Sequence, residues 1–398
     1  MQTLIIITVK DGYKPETKCN EIHQFYHHNV TQPGLSCTRR SRQSAVSRPT
    51  GVVGFPAAAV HPVVLPVVVP VKLRQAWKGK KKMSQVCFKP SFAAVVGASL
   101  LAAVALPASA GPLSFQHVMN IGSEGQGEGQ FKYVEDFAFS AEGHLLASDA
   151  AHAFIQVFDK TSGKFISRFG GKGDADGNLD KPEGIAVDPD GNIFIADYNT
   201  GDIKKYDKAH KWLLTFSSYG TEPGQNIKSE FMDIRDGKLF MPEAGNHRVD
   251  VFDLNGKFLF LFGGMGAEPG KMNNPESAKF NSEGKVYVAD LKNDRVQVFD
   301  IQGKFLSTWG KTGTGEGEFK APAGIAIDKN DNVYVTEIGN DRVQVFDKDG
   351  KFLTAFGKKG SGNGEFGNLH GIICDKATGW IYVADTANNR IQVFKPAS

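Results

Sequence analysis

Five side chains able to hold a cation or move a proton occupy one slot of a repeating sequence. Glu135, Glu183, Glu276 and His370 stand at the start of alternating apolar runs, and Ala323 holds the same slot in another repeat. Glu230 takes it too, once a one-residue deletion is allowed in its repeat. If the repeats close into a ring, four carboxylates, an alanine and a histidine surround one mouth of a channel. Oxygen ligands suit Ca²⁺ and a neutral imidazole suits transition ions such as Zn²⁺, which makes Glu183, Glu276 and His370 candidate metal ligands. A cationic organic ligand fits the same charges. The alternative is a set of hydrated charges or caps on neighbouring backbone amides. Like charges converging on one axis repel, so either a cation binds or some carboxyls take up protons.

A second constellation recurs with the repeat itself. An acid is followed five residues later by arginine at Glu243/Arg248, Asp290/Arg295, Glu337/Arg342 and Asp385/Arg390. The first two repeats carry Phe154 and Asp202 where the others carry arginine. Pairs that repeat with the fold are expected to be structural, as salt bridges and loop hydrogen bonds. Asn246, Asn293, Asn340 and Asn388 read as turn residues beside them. Gly-rich stretches such as GKTGTGEGEF (310–319) and GKKGSGNGEF (357–366) look like phosphate loops. None leads into a helix, which that kind of phosphate site requires, so they read as connectors.

The elements that position these residues follow from the period. An aromatic residue followed by Asp recurs at Phe158, Tyr206, Phe252, Phe299 and Phe346, with Phe394-Lys395 closing the series, at intervals of 48, 46, 47, 47 and 48 residues. That spacing exceeds a two-helix repeat and suits a four-stranded propeller blade. Within residues 322–357, AGIAID, VYVTE, RVQVFD and KFLTAFG are strands separated by the turn residues KNDN, IGND and KDG. The expected fold is all-β, a six-bladed β-propeller of four-stranded antiparallel blades. The sixth unit ends after its third strand. HVMNIG (117–122) aligns with FLTAFG (352–357), so the N-terminal strand is expected to complete the last blade beside RIQVF (390–394) and to remove an exposed edge.

The units GIAIDKNDNVYVTEIGNDRVQVFDKDGKFLTAFG and GIICDKATGWIYVADTANNRIQVF resemble NHL repeats, and the resemblance runs over about residues 113–398. It implies a six-bladed propeller of the bacterial secreted type. It also brings enzyme relatives into view. The peptidyl-hydroxyglycine amidating lyase is a similar propeller that holds zinc by histidines from several blades. Here the slot offers His370 alone, while His152 and His247 sit at another repeat position and His117, His144 and His210 fall elsewhere, so the three-histidine set is not recovered. Calcium-dependent lactonase propellers use a Glu, Asn and Asp site, which the glutamate ring matches loosely. Animal relatives join NHL repeats to cysteine-rich RING modules, for which this chain has no cysteine pattern.

Residues 1–110 read differently. Residues 1–82 show no period, and Lys78-Gly79-Lys80-Lys81-Lys82 requires purine-rich codons just upstream of Met83, as a ribosome-binding site translated in error would. From Met83 a signal peptide is expected over 83–110: Lys89, the apolar run 92–106, and the small-residue site Ala108-Ser109-Ala110. A retained anchor is the alternative. The mature domain is then 111–398, periplasmic or extracellular, with no membrane span after cleavage, and expected to be a monomer. It holds 32 Lys and Arg against 40 Asp and Glu, a poor balance for nucleic acid, whose phosphates need concentrated positive charge. Its one cysteine, Cys374, reads as a buried inert thiol. The function expected from these readings is a secreted, non-enzymatic binding scaffold for a protein, peptide or glycan. The alternative is a metal-dependent propeller enzyme with Ca²⁺ or Zn²⁺ at the Glu/His slot.

Overall fold

A computed structural model describes residues 113–173 and 175–397, and the start-site and signal-peptide expectations for 1–110 lie outside them. No helix among the described residues is long and apolar enough to cross a membrane. The described chain forms six four-stranded antiparallel sheets. Blades 1 to 5 cover residues 134–170, 182–217, 233–263, 275–309 and 322–356, each with its strands paired in chain order. First strands of successive blades touch one another, so they line the axis and the fourth strands form the rim. Two short 3₁₀ turns, Leu291–Asn293 and Thr386–Asn388, complete the regular elements among the described residues.

Blade 6 takes its inner three strands, Ile372–Cys374, Ile381–Asp385 and Arg390–Pro396, from the C-terminal end and its outer strand, Phe115–Ile121, from the N-terminal side. The register sets Ile121 against Ile391, Met119 against Val393 and His117 against Phe394, with a bulge between His117 and Met119. Pairing continues outward to Phe115 and Pro396, two residues beyond the expected start at His117. Ile121 is buried against Phe131, Tyr382 and Ile391, so closure contributes core as well as backbone hydrogen bonds.

The aromatic–Asp signature has a separate cause for each half. Phe158, Tyr206, Phe252, Phe299, Phe346 and Phe394 are all buried between blades; Phe346, for example, packs on Trp309, Phe319 and Phe352. Burying one such ring stabilises the fold by about 1.5–3 kcal/mol. The Asp that follows turns the chain. Asp347 Oδ1 accepts the backbone N–H groups of Asp349 at 3.0 Å and Lys351 at 2.9 Å, and Asp253 and Asp300 do the same in their blades. The side chain thus replaces backbone partners in the hairpin that starts the rim strand.

Candidate functional site

Five of the six innermost strands are entered through a residue in the left-handed region. Tyr133, Lys228, Asn274, Ala321 and Asn368 have φ between 51° and 75°. Such a conformation is costly for a residue with a side chain, and in four of them the preceding blade holds the N–H. Asn389 accepts from Tyr133, Asp294 from Ala321 and Asp341 from Asn368, at 2.8, 2.8 and 3.2 Å. In blade 3 the acceptor is His247, whose Nδ1 takes the Asn274 N–H at 3.1 Å. His247 therefore acts in the scaffold, as does His152, which lies 2.9 Å from Asp149.

The acid–arginine pairs close as ion pairs. Arg295 Nε meets Asp290 at 2.8 Å, Arg342 meets Glu337 at 2.6 Å and Arg390 meets Asp385 at 2.7 Å, and Arg248 pairs with Glu243. The rest of each guanidinium fastens a connector between blades: Arg342 donates to the carbonyls of Thr314, Gly315 and Glu318. Asn340 adds a bond to Gly313 O, and Gln344 adds one to Glu318 O while also donating to Glu337. The glutamine of RVQVF went unremarked in the sequence although it recurs at Gln297, Gln344 and Gln392. Blade 1 lacks the arginine, and there Arg168 of the rim strand lies 4.3 Å from the Phe154 ring and reaches toward Gln126 O. In blade 3 Asp250 replaces the glutamine, so Arg248 faces two buried acids, and burial with Asp250 pushes Glu243 up to about 8.

These pinned connectors and the second-to-third-strand loops share one face, and at that end of the axis the slot residues converge. Glu135, Glu183, Glu230 and Glu276 are all buried, at 2, 4, 3 and 9 % exposure, and Ala323 is buried beside them in sequence order around the ring. They form an internal cluster and not an open, hydrated rim. Glu230 hydrogen-bonds both Glu183 and Glu276. Burial, then Glu276 and Glu183, hold the Glu230 carboxyl well above the ordinary range; burial and then Glu183 do the same for Glu135. Glu183 is raised to about 7, by burial and against the pull of Lys181, and Glu276 is raised by burial. His370 Nδ1 lies 3.2 Å from Thr386 Oγ1 and 3.5 Å from Glu135 Oε2. Burial, helped by Lys181, lowers its pKa to about 4, so it is neutral near pH 7.

The sequence reading missed the cation already present. Lys181, two residues before Glu183, pairs with it, and its ammonium lies 3.8 Å from the Tyr198 ring centroid and 5.7 Å from that of Tyr133. Burial opposes its charge, yet Glu183, Glu135 and Glu230 keep its pKa above the ordinary value. Lys228 also acts on Glu276, and its ammonium lies 5.8 Å from the Tyr198 ring centroid. Two lysines cannot neutralise four carboxylates, so the remainder of the cluster holds protons: the Glu183–Glu230–Glu276 series shares them. Among the described residues no group of three or more His, Cys, Asp or Glu side chains is arranged to hold a metal ion. What the arrangement offers chemically is proton exchange near neutral pH at Glu183, and negative charge for a cation that displaces protons or Lys181.

The cluster is separated from the rest of the channel by close backbone contact. Gly371 N donates to Glu135 O at 2.9 Å and Phe231 N to Glu276 O at 2.9 Å. A Cβ on Gly184 would lie 2.1 Å from Glu230 O, and one on Gly371 would lie 2.1 Å from Glu135 O. Glycine is required there because adjacent innermost strands meet without room for a side chain.

Fold and repeat constellation together define a six-bladed β-propeller of the NHL type. The model described as NHL repeat matches residues 179–206, and one described as 6-bladed beta-propeller matches 271–339 and 330–396. A search of curated proteins by sequence finds no match. Among solved structures, a streptogramin B lyase is similar at 11% identity and TM-score 0.51, over 72% of this chain and 98% of that one. A protein of unknown function from Bacteroides thetaiotaomicron is similar at 16% identity and TM-score 0.54, over 72% and 76%. A virginiamycin B lyase from Staphylococcus aureus gives 12%, 0.50, 71% and 99%. At these identities the similarity is one of fold.

Proposed function

We propose that the chain is a secreted, non-enzymatic recognition scaffold that binds a protein or peptide through the connector face. One observation carries this reading. Tyr219 and Met265, 61 and 72 % exposed, are the most exposed large hydrophobic side chains among the described residues. They hold the same position on successive connectors, each as the first partner of a parallel bridge, Tyr219 to Asn226 and Met265 to Met272. Arg248 fastens the first connector through Thr221, Glu222 and Gln225, and Arg295 fastens the second through Ala267, Glu268 and Lys271. Apolar anchors on loops ordered in advance lower the entropy cost of binding. Tyrosine is favoured at binding hot spots, and methionine adapts to varied partners. The test compares capture from the native extracellular fraction by the full chain and by its Tyr219→Ser/Met265→Ser variant. A partner held at least tenfold less well by the variant, and destroyed by protease, supports the reading. A partner held equally by both, or one destroyed only by glycan oxidation, overturns it in favour of another surface or a glycan.

A second reading rests on Glu183, whose pKa near 7 suits acid–base work at neutral pH. It makes the cluster a cation-dependent enzyme site of the lyase or lactonase kind, in which Ca²⁺ or Zn²⁺ would draw Glu183, Glu276 and His370 into a ligand set that they do not form in this structure. Chelator then lowers the melting temperature and the ion restores it. Glu183→Gln with Glu276→Gln abolishes that response. A melting temperature indifferent to chelator and to added ions removes this reading.

A further inference from the structure

Beyond the glycine pinch the channel widens into a cavity of about 360 Å³, within the range of small-molecule sites. It opens beside the exposed turn residues Lys376 and Ala377, between the first and second strands of blade 6, on the face opposite the pinned connectors. At one repeat position the six innermost strands carry Ala138, Ala186, Asp233, Lys279, Ala326 and Ile373, and all six line the cavity. Small and apolar residues from four blades thus leave space, while blades 3 and 4 place one acid and one base side by side. Lys279 Nζ donates to Met232 O at 2.8 Å and lies 3.7 Å from Asp136 Oδ2, which leaves N–H capacity for another acceptor. Asp233 accepts the amides of Ile234 at 2.8 Å and Phe280 at 3.0 Å, and a carboxylate has sites for further donors.

We propose that this cavity binds an uncharged apolar alcohol whose hydroxyl accepts from Lys279 and donates to Asp233. A hydroxyl satisfies both neighbours at once. A carboxylate head would face Asp136 and Asp233, an ammonium head would face Lys279, and either would lose its hydration in an apolar chamber. The site shares no residue with the connector patch, so it stands or falls separately from the recognition reading.

The experiment is calorimetric titration of the full-length protein with octan-1-ol, octanoate and octylamine. Octan-1-ol binds at least tenfold more tightly than the other two. Ala326→Phe, which fills the chamber, weakens octan-1-ol at least tenfold while leaving the circular dichroism spectrum intact; Ala138→Leu serves if that variant does not fold. Lys279→Met narrows the preference for octan-1-ol over octylamine. Absence of binding by all three probes overturns the proposal, as does equal affinity for octanoate or octylamine, or undiminished affinity in a folded filled variant. The ranking on the unaltered protein decides without any variant.

Discussion

Glu230→Gln is expected to flatten the fall in stability with rising pH. Glu230 sits between Glu183 and Glu276 and hydrogen-bonds both, and burial with those two neighbours raises its pKa well above 4.5. The folded protein therefore keeps a proton that the unfolded chain releases. Such a group contributes fully below the unfolded value, and its contribution is lost as pH rises toward the folded one. The slope is about 1.4 kcal/mol per pH unit for each carboxyl still protonated only in the fold. Glu183, raised from 4.5 to about 7, gives the scale: roughly 3 kcal/mol lost between pH 4.5 and 7. His370 acts in the opposite sense. Its folded pKa of about 4 makes stability rise between pH 4 and about 6.5, so the informative window lies above pH 6.5, where it is silent.

Glutamine keeps the shape of a protonated glutamate and supplies two N–H donors where the carboxyl supplies one O–H. At pH 5 the variant should match the parent within about 1 kcal/mol, the usual range for an isosteric polar exchange. Above pH 6.5 it should lose less stability with rising pH than the parent, by up to about 1.4 kcal/mol per pH unit, or up to roughly 3–6 °C in melting temperature. Thermal or urea unfolding across that window is the assay. Parallel curves for the two proteins would mean that Glu230 is already ionised in the fold, and the proton-sharing account of the cluster would fail.

Two further perturbations follow from the blades. Asp250→Gln restores in blade 3 the RVQVF pattern of blades 4 and 5 and removes an acid beside Glu243, whose pKa of about 8 reflects burial and Asp250; a gain of about 1–2 kcal/mol is expected from relieving a buried like-charge contact, and no gain in urea unfolding would refute it. Removal of Phe115–Ile121 bares the edge of Arg390–Pro396 and takes Ile121 from the core, costing several kcal/mol at about 1.5–3 per buried apolar side chain; an unchanged melting temperature would show that closure contributes nothing.

The architecture was legible because it is written six times. A period of about 47 residues, alternation of apolar residues within it, and an incomplete last unit together identify the blade count and the strand that closes the ring, since each demands the same register. Asp253, Asp300 and Asp347 were legible as a recurring signature for the same reason, although Asp347 reads there as the end of the strand RVQVFD and its turn role comes from the amides it accepts. The slot residues were legible as a set, because Glu135, Glu183, Glu276 and His370 share a position. Their state was not. Whether four carboxyls are ionised depends on desolvation and on neighbours supplied by other blades. Lys181 was overlooked because it precedes the slot by two residues, at a position that varies among the repeats as Tyr133, Lys228, Asn274, Ala321 and Asn368.

The same argument explains the two ends of the channel. A residue that recurs in every blade is fixed by the fold, as Arg342 is by the connector carbonyls it binds. A residue that breaks the recurrence is free of that constraint, and it must be accounted for by something local. Lys181 and Lys228, at a position that does not recur, stand at the carboxyl cluster, where Lys181 pairs with Glu183. Asp233 and Lys279 break it among alanines at the cavity, where Lys279 lies 3.7 Å from Asp136 and Asp233 accepts backbone amides, and both line the space open to a ligand. Tyr219 and Met265 break it on the connectors, where glutamate, threonine and lysine stand in other blades at Glu124, Thr312 and Lys359. In a propeller, then, repeat-matched residues account for rigidity, and the departures from the repeat are where binding is to be sought. Here they lie at three separate places, which is why each can be tested without disturbing the other two.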